Sequence, residues 1–70
     1  MTEYAVVIED AGDNFSAYVP DLPGCVSTGA TVEEVTANLR AAIALHIASL
    51  REHREDVPPA LSRASSVQIA

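Results

Sequence analysis

Pro20-Asp21-Leu22-Pro23-Gly24-Cys25 is the stretch whose reading decides the fold. Its two prolines fix φ at positions 20 and 23, and each pushes the residue before it, Val19 or Leu22, toward extended geometry. No helix can run through such a segment. Pro23-Gly24 is the pairing of a type II turn, with proline at the second position and a positive-φ glycine at the third. The segment is therefore expected to leave one strand, turn with Leu22 pointing inward, and enter another strand at Cys25 and Val26. Asp21 is its only charge. That carboxylate is either part of a rigid connector or presented to a partner at a stiff, exposed tip.

On the N-terminal side, Phe15-Ser16-Ala17-Tyr18-Val19 alternates and puts Phe15, Ala17 and Val19 on one face. Before it, Asp10-Ala11-Gly12-Asp13-Asn14 is dense in turn formers, and Tyr4 to Glu9 is rich in β-branched and aromatic residues, with Tyr4, Val6 and Ile8 on one face. These two runs predict a hairpin. On the C-terminal side, Cys25 to Thr28 is long enough for a third antiparallel strand, which Gly29 ends.

A long helix follows. Thr31 and Glu34 have capping-box spacing, Glu33 and Glu34 suit the positive end of a helix dipole, and neither Gly nor Pro interrupts the chain before Pro58. At 100° per residue, Val32, Val35, Leu39, Ala42, Ile43, Ile47 and Leu50 form the stripe expected to lie on the sheet. Opposite it, Ala37, Ala41, Ala44 and Ala48 line up, with Leu45 between the two. Alanine is the best helix former and fills solvent positions for that reason alone, but such a ridge would also let a second subunit approach closely.

The charged run Arg51 to Asp56 is expected to fray the helix, and Val57-Pro58-Pro59 to stop it. Ser66-Val67-Gln68-Ile69 alternates polar and apolar residues and predicts one more strand at a sheet edge. The expected architecture is α+β in the order β-β-β-α-β: a three-stranded antiparallel sheet, one long helix packed on it, and a short C-terminal edge strand. Residues 1–70 read as one domain, without internal repeat or linker.

A chain of 70 residues buries only roughly 60% of its unfolded surface, so its core is thin. A single cysteine cannot form an internal disulfide, and no Cys/His cluster has zinc spacing, which leaves self-association into a dimer or tetramer as the expected supplement. Neither a signal peptide nor a membrane span is expected, because the apolar runs fall far short of the ~20 residues a span requires. An unpaired thiol suits the cytoplasm. Charge is uneven: Glu3, Glu9, Asp10, Asp13, Asp21, Glu33 and Glu34 give residues 1–34 a charge of −7, while four arginines against Glu52, Glu55 and Asp56 give the remainder +1. Such a surface repels a phosphate backbone and attracts a basic protein, so direct nucleic-acid binding is not expected.

The residues offer little catalytic chemistry. His46 and His53 are seven residues apart, ~10.5 Å of helical rise, too far to share a metal. A core or interface histidine is the simpler reading of His46. Cys25 has no basic neighbour in sequence to lower its pKa and reads as a buried thiol. Glu9, Asp10, Asp13 and Asp21 are the only carboxylates that could gather around a divalent ion, and three of them lie at a hairpin tip, where a solvated turn explains them. Three scattered glycines do not make a phosphate loop. Neither a metal nor a cofactor is expected, and no enzymatic activity; a metal-dependent nuclease is the reading against which this is set.

Tyr4 in an opening strand, a hairpin, the Pro-Asp-Leu-Pro-Gly-Cys hexapeptide at 20–25, Gly29, Thr31 and Glu34 leading into an alanine-rich helix, and the Val57-Pro58-Pro59 exit together resemble the HicB family of antitoxins. The hexapeptide with the glycine and capping threonine after it is the specific part. The resemblance implies a partial RNase H-like fold without the nuclease's catalytic carboxylates, and an antitoxin that occludes the RNA-cleaving surface of a small basic HicA-type toxin. Many relatives carry a C-terminal DNA-binding module, which residues 1–70 do not include. Solitary HicB-like domains also exist, so an orphan homo-oligomeric binding domain is the alternative. Carried onto this chain, Pro20, Asp21, Leu22, Pro23, Gly24, Cys25, Gly29, Thr31 and Glu34 are family positions of mainly architectural role. Asp21 is the expected partner contact, with Glu9, Asp10 and Asp13 behind it, and Ala37, Ala41, Ala44, Leu45 and Ala48 are the expected subunit interface.

Overall fold

The computed structural model describes residues 2–70. Three strands, β1 (Val7–Asp10), β2 (Phe15–Tyr18) and β3 (Val26–Gly29), are followed by one helix, α1 (Val32–Glu52). The sheet is antiparallel in the order β1-β2-β3. β1 and β2 are shorter than the runs that predict them, by two residues and one, whereas β3 keeps its expected length but is shifted by one residue, starting after Cys25 and taking in Gly29. The pairing nevertheless continues beyond β2, because the Val19 amide donates to the Cys25 carbonyl at 3.2 Å.

The proline-glycine segment folds as two successive turns. Leu22 N–H donates to the Val19 carbonyl at 3.1 Å, and Cys25 N–H donates to the Leu22 carbonyl at 3.0 Å. Gly24 has φ +84°, the left-handed value that the third position of a type II turn needs and that a side chain disfavours. Leu22, held between the turns, is fully enclosed. With Ala17, Val19, Cys25, Val35 and Leu39 it forms the buried core, and Tyr4, Val6, Ile8 and Phe15 pack around it as their alternation predicts.

Thr31 caps α1: its Oγ1 accepts from the Glu34 amide at 3.0 Å. Gly29 has a reason the sequence did not disclose. A Cβ there would lie 2.5 Å from the Val35 nitrogen, so its missing side chain is what lets the first turn of α1 press against β3. The helix packs chiefly on β3 and less on β2, leaving β1 to one side.

Of the predicted helical stripe, only Val35 and Leu39 are buried, whereas Val32 is exposed and Ala42, Ile43, Ile47 and Leu50 are partly covered. Length explains this. A helix of 21 residues runs about 31 Å at 1.5 Å per residue, whereas strands of four residues span only about 13 Å. The sheet cannot cover both halves of the helix.

Two expectations are corrected at the C-terminal side. The charged run does not fray α1, which ends in a Schellman motif: Glu55 N–H donates to the Leu50 carbonyl at 2.8 Å and Arg54 N–H to the Arg51 carbonyl at 3.1 Å. Arg54 takes the left-handed position, φ +56°, that glycine usually fills. The edge strand expected at Ser66–Ile69 does not form, and residues 55–70 have no regular secondary structure. Alternation supplies the side-chain pattern of a strand, but a strand also needs a neighbouring ladder, and this segment meets none within the described chain.

Candidate functional site

The carboxylates singled out from sequence do not converge. Glu9 and Asp10 close β1, and Asp13 lies in the hairpin loop that follows. Asp21 sits beyond the other end of β2. The hairpin group is solvated: all three residues are exposed, and Asp10 Oδ1 accepts from the Gly12 amide at 2.9 Å in a local turn. No three acid, histidine or cysteine side chains come together among the described residues in a way that could hold a metal ion.

Asp21 is occupied within its own chain. Its Oδ2 accepts from the amides of Leu61 at 2.9 Å and Ser62 at 2.8 Å, and its Oδ1 accepts from the Ser62 hydroxyl at 2.8 Å. Hydrogen bonds from Ser62, backbone first and then side chain, hold the carboxyl below the usual carboxylate range. A second tie lies close by in the fold, where the Tyr4 hydroxyl donates to the Pro58 carbonyl at 2.6 Å. The proline-rich turn thus serves as the anchor for the segment after the helix, across 40 residues of sequence.

Cys25 is buried, and desolvation pushes its thiol pKa up, the opposite of what a nucleophile requires. His46 lies partly covered on α1, and His53 caps the helix with Nδ1 2.8 Å from the Ser49 carbonyl. The alanine ridge is open: Ala37, Ala41, Ala44 and Ala48 are exposed and Leu45 is 73% exposed.

The face of the sheet turned away from the helix carries a feature the sequence reading passed over. Register places Val7 opposite Tyr18 and Tyr18 opposite Val26, so three apolar side chains form one row across all three strands. Tyr18 is 40% and Val26 64% exposed. The neighbouring row is Glu9, Ser16 and Thr28. Antiparallel sheets with one free face usually alternate apolar-in and polar-out, so apolar residues at the outward positions were the available signal. An apolar row beside acidic residues suits a protein surface with a greasy centre and a basic rim.

A family model described as the HicB-like antitoxin of bacterial toxin-antitoxin systems matches residues 4–69. A UPF0150 protein of Thermoplasma acidophilum is 39% identical over 57 residues, covering 80% of this chain and 83% of its own. A UPF0150 protein of Synechocystis is 41% identical over 56 residues, covering 79% of this chain and 71% of its own. A 14.9 kDa protein from the rep-hol intergenic region of Haemophilus phage HP1 is 40% identical over 55 residues; the match takes in 79% of this chain and 41% of that longer protein. With the double turn at 20–25, the capped helix and a match running from Tyr4 to Ile69, the chain belongs to the HicB-like antitoxin family of bacterial toxin-antitoxin systems.

Proposed function

We propose that this chain acts by occlusion, binding a small basic HicA-type toxin through the open face of its sheet and covering the surface with which that toxin grips RNA. The observation that carries the reading is the Val7-Tyr18-Val26 row beside Glu9, on the half of the chain where the sequence has seven acidic residues and no basic one. A protein that holds RNA must present lysine or arginine to phosphates, so an acidic, partly apolar face is a matching lid. Glu9, Asp10 and Asp13 would steer the encounter from the hairpin end. Asp21, engaged with Leu61 and Ser62, serves the contact indirectly by fixing the chain around it. The strand-strand-strand-helix order is read as the partial RNase H-like fold that the resemblance implies, with turnover absent.

Self-association is part of the same proposal, because six buried side chains are a small core for 70 residues. Two surfaces could serve it: the exposed alanine ridge with Leu45, and the segment after the helix.

The test is calorimetry of the purified chain against any small basic protein found encoded beside its gene, with RNA cleavage by that protein as the second readout. Saturable binding that suppresses cleavage is expected, and Val26→Lys should weaken it at least tenfold without altering the circular dichroism spectrum. No heat against that protein, or RNA degradation in magnesium by the chain alone, would overturn the reading. In the first case an orphan self-associating domain takes its place.

A further inference from the structure

We infer that residues 65–70 are an arm that a second copy of this chain accepts as a fourth strand along the outer edge of its β1. The inference deepens the self-association just proposed and is independent of any toxin.

The arm has a fixed base and an unused tip. Leu61 and Ser62 are pinned to the Asp21 carboxylate, and the Pro58 carbonyl to the Tyr4 hydroxyl. Past them, Ser66-Val67-Gln68-Ile69 has the alternation of a half-buried strand, yet Val67 is 81% and Ile69 82% exposed. The molecule measures 46 × 28 × 20 Å with a radius of gyration of 13.4 Å, against about 11 Å for a compact chain of this length. A strand pattern with its apolar face in water is completed by a sheet edge that another molecule supplies.

Two edges are open in principle, and they differ. On β3 the Thr28 carbonyl already accepts from the Asn38 side-chain amide at 2.9 Å, which ties that edge to the helix. On β1 the only ladder among the described residues is the one with β2. β1 is four residues long, as is the alternating run of the arm. Just before β1 in the chain, along residues 2–6, lies an open groove of about 590 Å³, walled by Tyr4 and Val6 on one side and by Leu39, Arg40 and Ile43 on the other. It exists because α1 lies over β3 and β2 and leaves the flank of β1 uncovered. Val67 and Ile69 share one face, so a strand laid on this edge and running back along residues 4–6 would bring that face to the groove. Charge does not oppose the pairing: residues 65–70 carry no charged side chain, and the groove is lined by one acidic and one basic residue, Glu3 and Arg40. In a twofold pair the exchange is reciprocal, each copy giving one arm and receiving one.

Light scattering after size exclusion, on the chain and on the double variant Val67→Asp/Ile69→Asp, reads the arm directly. A mixture of Gln68→Cys protein with Glu9→Cys protein, oxidised and run without reductant, reads its destination, since the native Cys25 is buried. The expected results are an oligomer for the unaltered chain, at least a halving of mass for the double variant with an unchanged circular dichroism spectrum, and a disulfide-linked species containing one of each cysteine variant. A monomeric unaltered chain would overturn this inference and the self-association reading together. An oligomer that survives the double variant but dissociates with Ala41→Glu would overturn the arm alone and assign assembly to the helix. A disulfide formed within one chain carrying both cysteines, in a monomer, would return the arm to its own β1 and equally overturn the exchange.

Discussion

The two halves of α1 are built from similar residues and meet different surroundings. In the first half, Val35 and Leu39 are fully enclosed against the sheet, Leu22 and the missing side chain of Gly29. In the second, Ile43, Ile47 and Leu50 continue the same stripe but are only partly covered, because the helix outruns the strands. Hydrophobic periodicity reports which side of a helix is apolar. It does not report how much sheet lies beneath it.

The sharpest way to break this comparison is to truncate one residue in each half. Leu39→Ala should cost about 2–5 kcal/mol, the range for a leucine removed from an enclosed site, a large part of the total for a domain of this size, which at typical values is about 4–10 kcal/mol. Ile47→Ala should cost less than about 1 kcal/mol when the protein is dilute, since partly exposed side chains lose little contact. Urea denaturation of both variants checks this, and equal costs in dilute protein would refute the contrast. An Ile47→Ala cost that grows with protein concentration would show that a second copy covers the exposed half.

Gly29→Ala probes the tight half from the strand side. The added methyl would press on the backbone of Val35, and a loss of about 1–3 kcal/mol is expected, the usual range for overpacking. The helix ends give smaller effects of opposite sign. Thr31→Ala should cost about 1 kcal/mol through the lost cap, while Arg54→Gly should gain about 0.5–1 kcal/mol by relieving a left-handed residue. Thermal melts at matched concentration would measure both.

The smallest effect concerns the tie between the turn and the arm. Asp21→Asn should speed hydrogen exchange at the Leu61 and Ser62 amides while leaving core amides unchanged. Acid should act likewise. The folded-state pKa of Asp21 lies below its unfolded value, so its contribution is complete above the unfolded pKa and is lost as pH falls through the folded one. The arm should therefore be held at neutral pH and freed in strong acid, which exchange measured along a pH series would detect.

Much of this was legible because the relevant forces are local. Two prolines and a glycine dictated the turn at Pro23-Gly24, though not the Val19–Leu22 turn before it; alternation separated Ala17 and Val19 from Tyr18, and Thr31 with Glu34 marked where the helix begins. The candidate surface was less legible. Asp21 looked like a presented charge because nothing nearby in sequence satisfies it; its donors are Leu61 and Ser62, about 40 positions away. Val7, Tyr18 and Val26 looked like ordinary strand residues, and only the register of two hairpins aligns them in one row. The Ser66–Ile69 run had the pattern of a strand, and pattern alone does not supply the hydrogen-bonding neighbour.

By itself the sequence determined where the chain must turn, which residues face inward, where the helix starts, and the charge a partner would meet, since each depends on steric limits or on periodicity within a few residues. The tertiary structure alone decided that Asp21 anchors the arm, that Gly29 exists for the approach of Val35, and that half the helix and the flank of β1 remain uncovered. Those outcomes depend on distances between segments far apart in the chain, which no local pattern encodes.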